Sequence, residues 1–183
     1  MVGFVGSPRK GGNTAWTVGK ILDGAREQGA DTQIFYASEQ GIKPCQGCLG
    51  CVESERCVIS DGMQDIYAAL EAADALILGS PIYMGQMSAQ AKAFTDRLFA
   101  FITPRFSPRF KEERAGKKLI LAWMQGNPDA AKFQEYYGYA KHMFNMLEFH
   151  SEEIVVAGTR SVKASEQIGL DEKLKAVGRG LMK

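Results

Sequence analysis

The sequence predicts an α/β fold with a doubly wound, five-stranded parallel sheet and helices on both faces. Short apolar runs alternate with segments of helical period along the chain. One run, residues 75–79, is uninterrupted, which is typical of a strand buried on both faces. The chain has 183 residues, of which 45% are hydrophobic and 23% charged, and these values fit one compact domain over residues 1–183.

The predicted elements follow one another without an internal repeat. Strands are expected at residues 2–6, 32–37, 75–79, 118–124 and 153–158. Four helices are expected where apolar residues recur at i, i+3, i+4 and i+7: Val18, Ile21, Leu22 and Ala25; Ile66, Ala69, Leu70 and Ala73; Ala91, Phe94, Thr95 and Leu98; Ala140, Met143, Phe144 and Leu147. A last helix is expected over residues 171–181, and residues 44–60 are expected to be irregular.

Charge and composition exclude several function classes. A formal net charge of +1 supplies no field to attract nucleic acid or an anionic membrane, so neither is expected as a partner. No apolar stretch approaches the roughly 20 residues of a membrane span, and the N-terminus lacks the pattern of a signal peptide. We therefore expect a cytoplasmic protein, whose four cysteines serve metal or redox chemistry rather than structural disulfides.

The loop after the first strand has the composition of an anion-binding site. Residues 6–14 read Gly-Ser-Pro-Arg-Lys-Gly-Gly-Asn-Thr, with hydroxyls at Ser7 and Thr14, a cation at Arg9 and a helix N-terminus near Asn13. Neither the P-loop pattern nor the dinucleotide fingerprint is present. A phosphate would fit, and so would the alternative of a surface turn followed by an ordinary N-cap.

The loop expected after the third strand, residues 80–88, could contact a flat apolar ligand. It contains Pro81, Ile82, Tyr83, Met84 and Gly85, so an aromatic ring and a polarisable thioether follow a buried strand. Core packing at the end of a strand explains the same residues.

The cysteines form the most specific motif. Cys45, Cys48, Cys51 and Cys57 follow the pattern Cys-x-x-Cys-x-x-Cys-x5-Cys, within 13 positions. Iron-sulfur clusters are held by four cysteines in closely spaced runs of this type. Structural zinc sites more often unite two separated Cys-x-x-Cys pairs, so the spacing favours iron and sulfur over zinc, with four free thiols as the remaining alternative.

Three motifs in order resemble the NAD(P)H-dependent FMN reductases of the flavodoxin fold. These are Gly-Ser-Pro-Arg followed by Gly-Asn-Thr, then Gly-Ser-Pro-Ile-Tyr, then Lys-Ala-Phe-Thr-Asp-Arg ending at Arg97. The resemblance extends from residue 2 to about residue 101. It implies a flavodoxin-like sheet in which the FMN phosphate is held by Ser7, Arg9, Asn13 and Thr14. It implies contacts to the ribityl chain and ring from Pro81, Ile82, Tyr83, Met84 and Gly85, and from a third loop at Gln125 and Gly126.

Together with these motifs, the cysteine motif resembles the iron-sulfur flavoprotein branch of that family. The resemblance implies that Cys45, Cys48, Cys51 and Cys57 bind a 4Fe-4S cluster and that Asp61 leads into the second helix. The family often has a second acidic residue where this chain has Gly62. The implied activity is that of an FMN-dependent oxidoreductase, or electron-transfer flavoprotein, coupling FMN to the cluster. A homodimer or homotetramer is also implied.

Two alternatives and one further segment complete the expectations. The alternatives are an NAD(P)H-dependent FMN or quinone reductase without a cluster, and a non-catalytic flavin-binding carrier or regulatory module. Electron donors and acceptors could be small molecules or proteins, including NAD(P)H and a ferredoxin-like carrier. Residues 103–118 form a basic excursion that could attract such an anionic partner or could be a solvated linker. Lys92 and Arg97 are expected to be surface or interface charges, and no side chain is assigned a catalytic role.

Overall fold

A computed structural model of the chain describes residues 1–54, 56–102 and 116–182. Six strands form one sheet in these residues: β1 (Val2–Val5), β2 (Gln33–Tyr36), β3 (Ala75–Tyr83), β4 (Gln86–Met87), β5 (Lys118–Met124) and β6 (His150–Val156). Five of them pair in parallel in the order β2-β1-β3-β5-β6, and the two-residue β4 pairs antiparallel with the end of β3. The predicted five-stranded parallel sheet is confirmed, with β4 as an addition.

Helices lie on both faces of this sheet. They are α1 (Asn13–Arg26), α2 (Ala37–Gln40), α3 (Gly50–Ser54), α4 (Met63–Ala72), α5 (Ala89–Arg97), α6 (Gln134–Asn145) and α7 (Leu170–Gly180). Single 3-10 turns follow at Leu98–Phe101 and Ala164–Glu166. Among the described residues, no helix is both long and apolar enough to cross a membrane.

Alternating side chains of the strands divide the core into two clusters. In β5, Leu119, Leu121 and Trp123 belong to the cluster that includes buried residues of α4, α5 and α6. The intervening Ile120 and Ala122 belong to the cluster that includes buried residues of α1 and α7. Because every second residue of a strand points to the same face, one apolar strand can supply both clusters. This explains the uninterrupted apolar runs of the sequence.

The element boundaries differ from the predictions chiefly at three places. β3 continues to Tyr83, because the parallel ladder pairs its Pro81 with Met124 of β5. β6 begins at His150 rather than residue 153, since an edge strand can pair through its backbone while polar side chains face water. The cysteine segment, expected to be irregular, contains α3. The last helix is confirmed within one residue at each end.

The basic excursion lies mostly outside the described residues, which omit residues 103–115. Of its two last lysines, Lys117 is buried and its ammonium donates hydrogen bonds to the carbonyl groups of Leu70, Glu71 and Ala73 at the end of α4. Lys117 therefore stabilises a helix C-terminus in the fold.

Candidate functional site

The strand order reverses between β1 and β3, which are central neighbours in the sheet. In a doubly wound sheet the crevice at the carboxyl ends of such strands is where ligands bind. Three segments lie at this edge: the first loop (residues 6–13), the hairpin formed by β3 and β4, and the loop after β5. The candidate residues for FMN all lie on these segments or at the start of α1.

The first loop is attached to the sheet and to α5. The N–H of Gly6 donates to the carbonyl of Gly79 over 2.8 Å, and the hydroxyl of Ser88 donates to the carbonyl of Gly6. Ser7 is buried, at 2% exposure, and its hydroxyl oxygen accepts a hydrogen bond from the Arg9 N–H over 3.2 Å. The loop thus has a defined shape, with Ser7 turned inward.

The charges of the first loop are arranged unequally. Lys10 forms an ion pair with Glu39 of α2. Arg9 is exposed and takes part in no ion pair within the part of the chain that the structure describes. The N-cap of α1 is Gly12, which has no side chain to occupy the first N–H groups of the helix. The loop therefore offers an available cation beside an uncapped helix N-terminus.

Asn13 and Thr14, at the start of α1, have different surroundings. The side-chain oxygen of Asn13 accepts from the N–H of Ala164 over 3.0 Å, and its amide donates to the carbonyl of Thr159 over 3.5 Å. This side chain links α1 to the segment after β6. Thr14 is buried, and its methyl group faces Gly79 of β3.

The hairpin presents the predicted ring-contacting residues at the sheet edge. Pro81 is buried, Ile82 is partly buried, and both Tyr83 and Met84 are exposed, Met84 completely. Met84 has a φ of +50°, a conformation rare for a residue with a side chain, and Gly85 follows with a φ of +82°. The turn therefore extends the Met84 side chain into solvent.

Hydrogen bonds hold the hairpin to its neighbours. The N–H of Ser88 donates to the hydroxyl of Ser80 over 3.0 Å, and the N–H of Met87 donates to the hydroxyl of Tyr136 over 3.1 Å. Burial raises the pKa of Tyr136, while its bond from Met87 opposes this rise. The hairpin is thereby fixed against both α5 and α6.

Gln125, predicted to contact the ring, is buried and its side chain is used within the protein. Its amide donates to the carbonyls of Asn127 and Asp129, and its oxygen accepts from the hydroxyl of Tyr137. Burial raises the pKa of Tyr137 to about 12, so this hydroxyl stays protonated as a donor. Gly126 is exposed and lies beside Arg160.

The sequence analysis missed the segment after β6. Thr159 donates its hydroxyl to the carbonyl of Gln125 over 3.0 Å, and Arg160 is exposed next to Gly126. The rule that ligands bind at the carboxyl ends of parallel strands could have identified this segment, because it follows β6, the last parallel strand of the sheet.

The four thiols lie on the cysteine loop, which we define as residues 43–61. Cys45 and Cys48 are exposed, and the partly buried Cys51 and Cys57 pack against the core. All four are free of disulfides. Within the described ranges, no three cysteine, histidine or acidic side chains converge closely enough to hold a metal ion. The donor set nevertheless has the number and chemistry that a 4Fe-4S cluster requires.

A buried ion pair joins the cysteine loop to α5, contrary to the prediction that Arg97 is a surface or interface charge. Arg97 is 1% exposed and contacts Asp61 with an N···O distance of 2.9 Å. Burial by itself would raise the pKa of the Asp61 carboxyl, but bonds from Arg97 and from the N–H groups of Lys43 and Met63 lower it below its ordinary value. Asp61 therefore accepts these bonds as a carboxylate.

Gly62, the position at which the resemblance implies a second acidic residue, has no room for a side chain. A Cβ atom there would lie 2.3 Å from the carbonyl oxygen of Gln40. The N–H of Gly62 donates to the same carbonyl over 3.2 Å. Close contact between backbones thus accounts for glycine at this position.

Comparisons with known proteins identify the family of the chain. A family model described as NADPH-dependent FMN reductase matches residues 1–151. An iron-sulfur flavoprotein of Methanosarcina thermophila is 41% identical over 97 residues, covering 53% of this chain and 51% of that protein. One from Archaeoglobus fulgidus is 32% identical over 128 residues, covering 70% of this chain and 56% of that protein. The chain spans about half the length of the curated relatives it matches.

The solved structures show the same fold. An NAD(P)H:quinone oxidoreductase from Methanothermobacter marburgensis is similar with a TM-score of 0.75 and 13% identity, over 100% of this chain and 96% of that one. An FMN-dependent NADH-azoreductase from Bacillus anthracis is similar with a TM-score of 0.70 and 10% identity, over 100% and 98% of the two chains.

Proposed function

Since the chain belongs to the NADPH-dependent FMN reductase family, we propose that it is an FMN-dependent oxidoreductase that also carries a 4Fe-4S cluster. The FMN would lie at the carboxyl edge of the sheet and the cluster on the cysteine loop. The observation that carries the proposal is the first loop, which places an available cation and an uncapped helix N-terminus where the strand order reverses.

In this proposal the first loop binds the FMN phosphate. Arg9 would supply charge, Ser7 and Thr14 would supply hydroxyls, and the N–H groups that follow Gly12, which have no side-chain cap, would be available to the anion. Asn13 acts indirectly, because its hydrogen bonds to Thr159 and Ala164 hold the segment after β6 against the loop.

The hairpin and the loop after β5 would contact the flavin ring and ribityl chain. Tyr83 and Met84 offer exposed apolar surface for stacking, while Pro81, Ile82 and Gly85 form the adjoining backbone. The Gln125 side chain shapes the loop from within, so contact to a ligand would come from its backbone and from Gly126.

The cysteine loop would bind the cluster through Cys45, Cys48, Cys51 and Cys57. FMN exchanges electrons singly or in pairs and an iron-sulfur cluster exchanges one, so a protein holding both can couple two-electron donors to one-electron acceptors. The protein's part is to bind and orient the two groups, and no side-chain acid or base is required. His142 and His150 are both exposed, and the proposal assigns a role to neither.

The donor and acceptor are proposed to be NAD(P)H or other small molecules, or a protein such as a ferredoxin-like carrier. The exposure of Tyr83 and Met84 leaves the hairpin accessible to a substrate or to another copy of the chain. We propose a homodimer or homotetramer on the basis of family resemblance.

A second candidate is an NAD(P)H-dependent FMN or quinone reductase without a cluster. The observation that favours it is the arrangement of the thiols. Two of them are exposed, and in the described residues no three of them lie close enough together to hold a metal ion. The two candidates differ in composition rather than in fold.

One experiment separates them. Protein purified without oxygen is analysed for flavin, iron and acid-labile sulfide per chain, and its flavin is then reduced with NADH or NADPH. The proposed function requires that the protein contain flavin, and that it also contain iron and sulfide in a one-to-one ratio to each other. Flavin with turnover but without iron selects the cluster-free reductase, and flavin without turnover by any donor selects a carrier.

A further inference from the structure

Hydrogen bonds join the two ends of the cysteine loop, although its four thiols do not converge into a metal-binding group in the described residues. Both backbone groups of Lys43, at the start of the loop, bond to the buried ion pair: its N–H donates to Asp61 over 2.9 Å and its carbonyl accepts from Arg97 over 3.0 Å. Asp61 is itself the end of the loop. The chain between them is therefore closed by side-chain bonds without any metal.

Arg97 bonds to both ends of the loop, once at Lys43 and three times at Ile59 and Asp61. One terminal nitrogen donates to the Lys43 carbonyl and to Asp61, and the other donates to Asp61 and to the carbonyl of Ile59 over 3.3 Å. The planar guanidinium can satisfy these acceptors together, whereas a lysine ammonium on a flexible stem cannot match the same fork. The arrangement uses the geometry of arginine as well as its charge.

Burial also distinguishes this ion pair from the Lys92–Asp96 pair on the same helix. The side chains of Arg97 and Asp61 are 0% and 5% exposed, whereas those of Lys92 and Asp96, four residues apart on α5, are 56% and 42% exposed. Exposed pairs contribute little to stability, but a buried, hydrogen-bonded pair fixes the groups around it. Lys92 therefore provides a matched control.

We propose that Arg97 and Asp61 are positioning residues that close the cysteine loop before metal binds and so present its thiols for cluster assembly. This inference rests on the proposed function, since it assigns the loop a cluster. The closure itself requires no metal, which allows it to be tested separately.

The backbone of Cys57 is linked to this ion pair through Gln64 and the shared carbonyl of Ile59. The hydroxyl of Tyr67 donates to the carbonyl of Arg97 over 2.7 Å. Gln64 also donates to the Cys57 carbonyl over 3.0 Å and to that of Ile59 over 2.8 Å. Among the four cysteines, Cys57 is thus held in place by a side-chain hydrogen bond to its backbone.

The experiment compares Arg97→Met, the double variant Arg97→Met with Asp61→Leu, and the control Lys92→Met. The single variant leaves a carboxylate buried without its partner, whereas the double variant replaces both charges with apolar side chains that preserve a folded core. Each protein is prepared metal-free and then reconstituted with ferrous iron and sulfide. Iron and sulfide content, the EPR signal of the reduced cluster, FMN affinity and hydrogen exchange of peptides from residues 43–61 are measured.

We expect the double variant to recover thermal stability lost in the single variant but to assemble little cluster. Amide exchange in residues 43–61 of its metal-free form should be at least about tenfold faster than in wild type, because bonds to a charged group are lost. FMN affinity should be unchanged, and Lys92→Met should match wild type throughout. A pair that only stabilised the fold would not produce this separation of stability from cluster content.

The proposal would be overturned if the double variant showed the same cluster content, EPR signal and amide exchange as wild type. If wild type itself takes up no iron and sulfide, the proposed cluster function fails, and the exchange data alone decide whether the ion pair closes the loop. Should the double variant not fold, Arg97→Lys gives the same test, since it keeps the charge but cannot bond to Lys43, Ile59 and Asp61 together.

Discussion

The first loop and the cysteine loop are both proposed to hold a cofactor, but the fold determines their shapes to different extents. The first loop continues a central strand, and Gly6 is bonded through both its N–H and its carbonyl, to Gly79 and Ser88. The cysteine loop is bonded mainly at its two ends, while Cys45 and Cys48 between them are exposed.

This difference indicates how each site would reach its working geometry. A loop attached to a sheet is ordered by folding, so binding its ligand costs little further conformational entropy. A loop with exposed thiols gains its final arrangement from the metal, because ligand binding and local ordering are then coupled. Substitutions should therefore affect the two sites independently, and by different routes.

The largest expected effect is the loss of the cluster in Cys48→Ala. A 4Fe-4S cluster needs its four thiolates, and the first loop does not depend on them. We expect iron and sulfide to be absent while FMN binding and the unfolding midpoint stay close to wild type. Anaerobic metal analysis and flavin titration measure this, with the exposed Ser60→Ala in the same loop as control. A full complement of iron in Cys48→Ala would contradict the four-cysteine assignment.

The next effect concerns FMN affinity in the double variant Ser7→Ala with Arg9→Ala. Loss of a charged phosphate contact should weaken binding by about 1.5 to 3 kcal/mol, with the cluster retained. Fluorescence titration of FMN into flavin-free protein measures the change. Lys10→Ala is the matched control, because that lysine is already paired with Glu39. Equal affinity in the double variant and the control would remove the first loop from the phosphate site.

The strands were predictable because their sequence signals are local. Alternating apolar runs define parallel strands wherever they occur, and the carboxyl-edge rule then places the first loop and the hairpin together. The burial of Arg97 has no such signal. It sits beside Asp96 on a helix with exposed charges, and its partner Asp61 lies 36 residues earlier in the chain. Only tertiary packing brings the two together.

The roles of Asn13 and Gln125 show a second limit of local reasoning. Both are polar residues at the sheet edge, which is why they were expected to contact the cofactor. Their side chains instead bond to Thr159, Ala164 and Tyr137, or to carbonyls within the same loop. A polar side chain at a site can bind a ligand or hold the loop that does so, and residue type alone does not distinguish these roles.

A smaller effect should distinguish the rigidity of the first loop from its chemistry. A Cβ atom at Gly6 would lie 2.6 Å from the Cβ of Ala91, a helix position that cannot easily move, whereas nothing lies within 4 Å at Gly11. Gly6→Ala should therefore destabilise the fold by about 1 to 3 kcal/mol, as other overpacked sites do. Urea unfolding of Gly6→Ala and of the control Gly11→Ala measures this. Equal stability of the two variants would show that the first loop is not rigidly attached to the sheet.

The smallest expected effect is a loss of folding stability at acidic pH that arises from Asp61, at the end of the cysteine loop. Its pKa in the folded protein lies below the ordinary value of 3.8, so the unfolded chain binds a proton at this group where the folded chain does not. The stabilisation is complete above that ordinary value and is lost as the pH falls toward the lower folded-state pKa. Unfolding should take up at most about one proton here, so the change in stability is modest.

Urea unfolding of the metal-free protein between about pH 6 and about pH 3 measures this, a range in which aspartate titrates. The double variant Arg97→Met with Asp61→Leu lacks the titrating group, and its stability should fall less steeply with acid than that of wild type. Asp96→Asn should retain the wild-type slope, because its ion pair with Lys92 is exposed. Parallel curves for wild type and the double variant would mean that Asp61 is not held charged by Arg97. The ends of the cysteine loop would then depend on packing alone, as the first loop depends on the sheet.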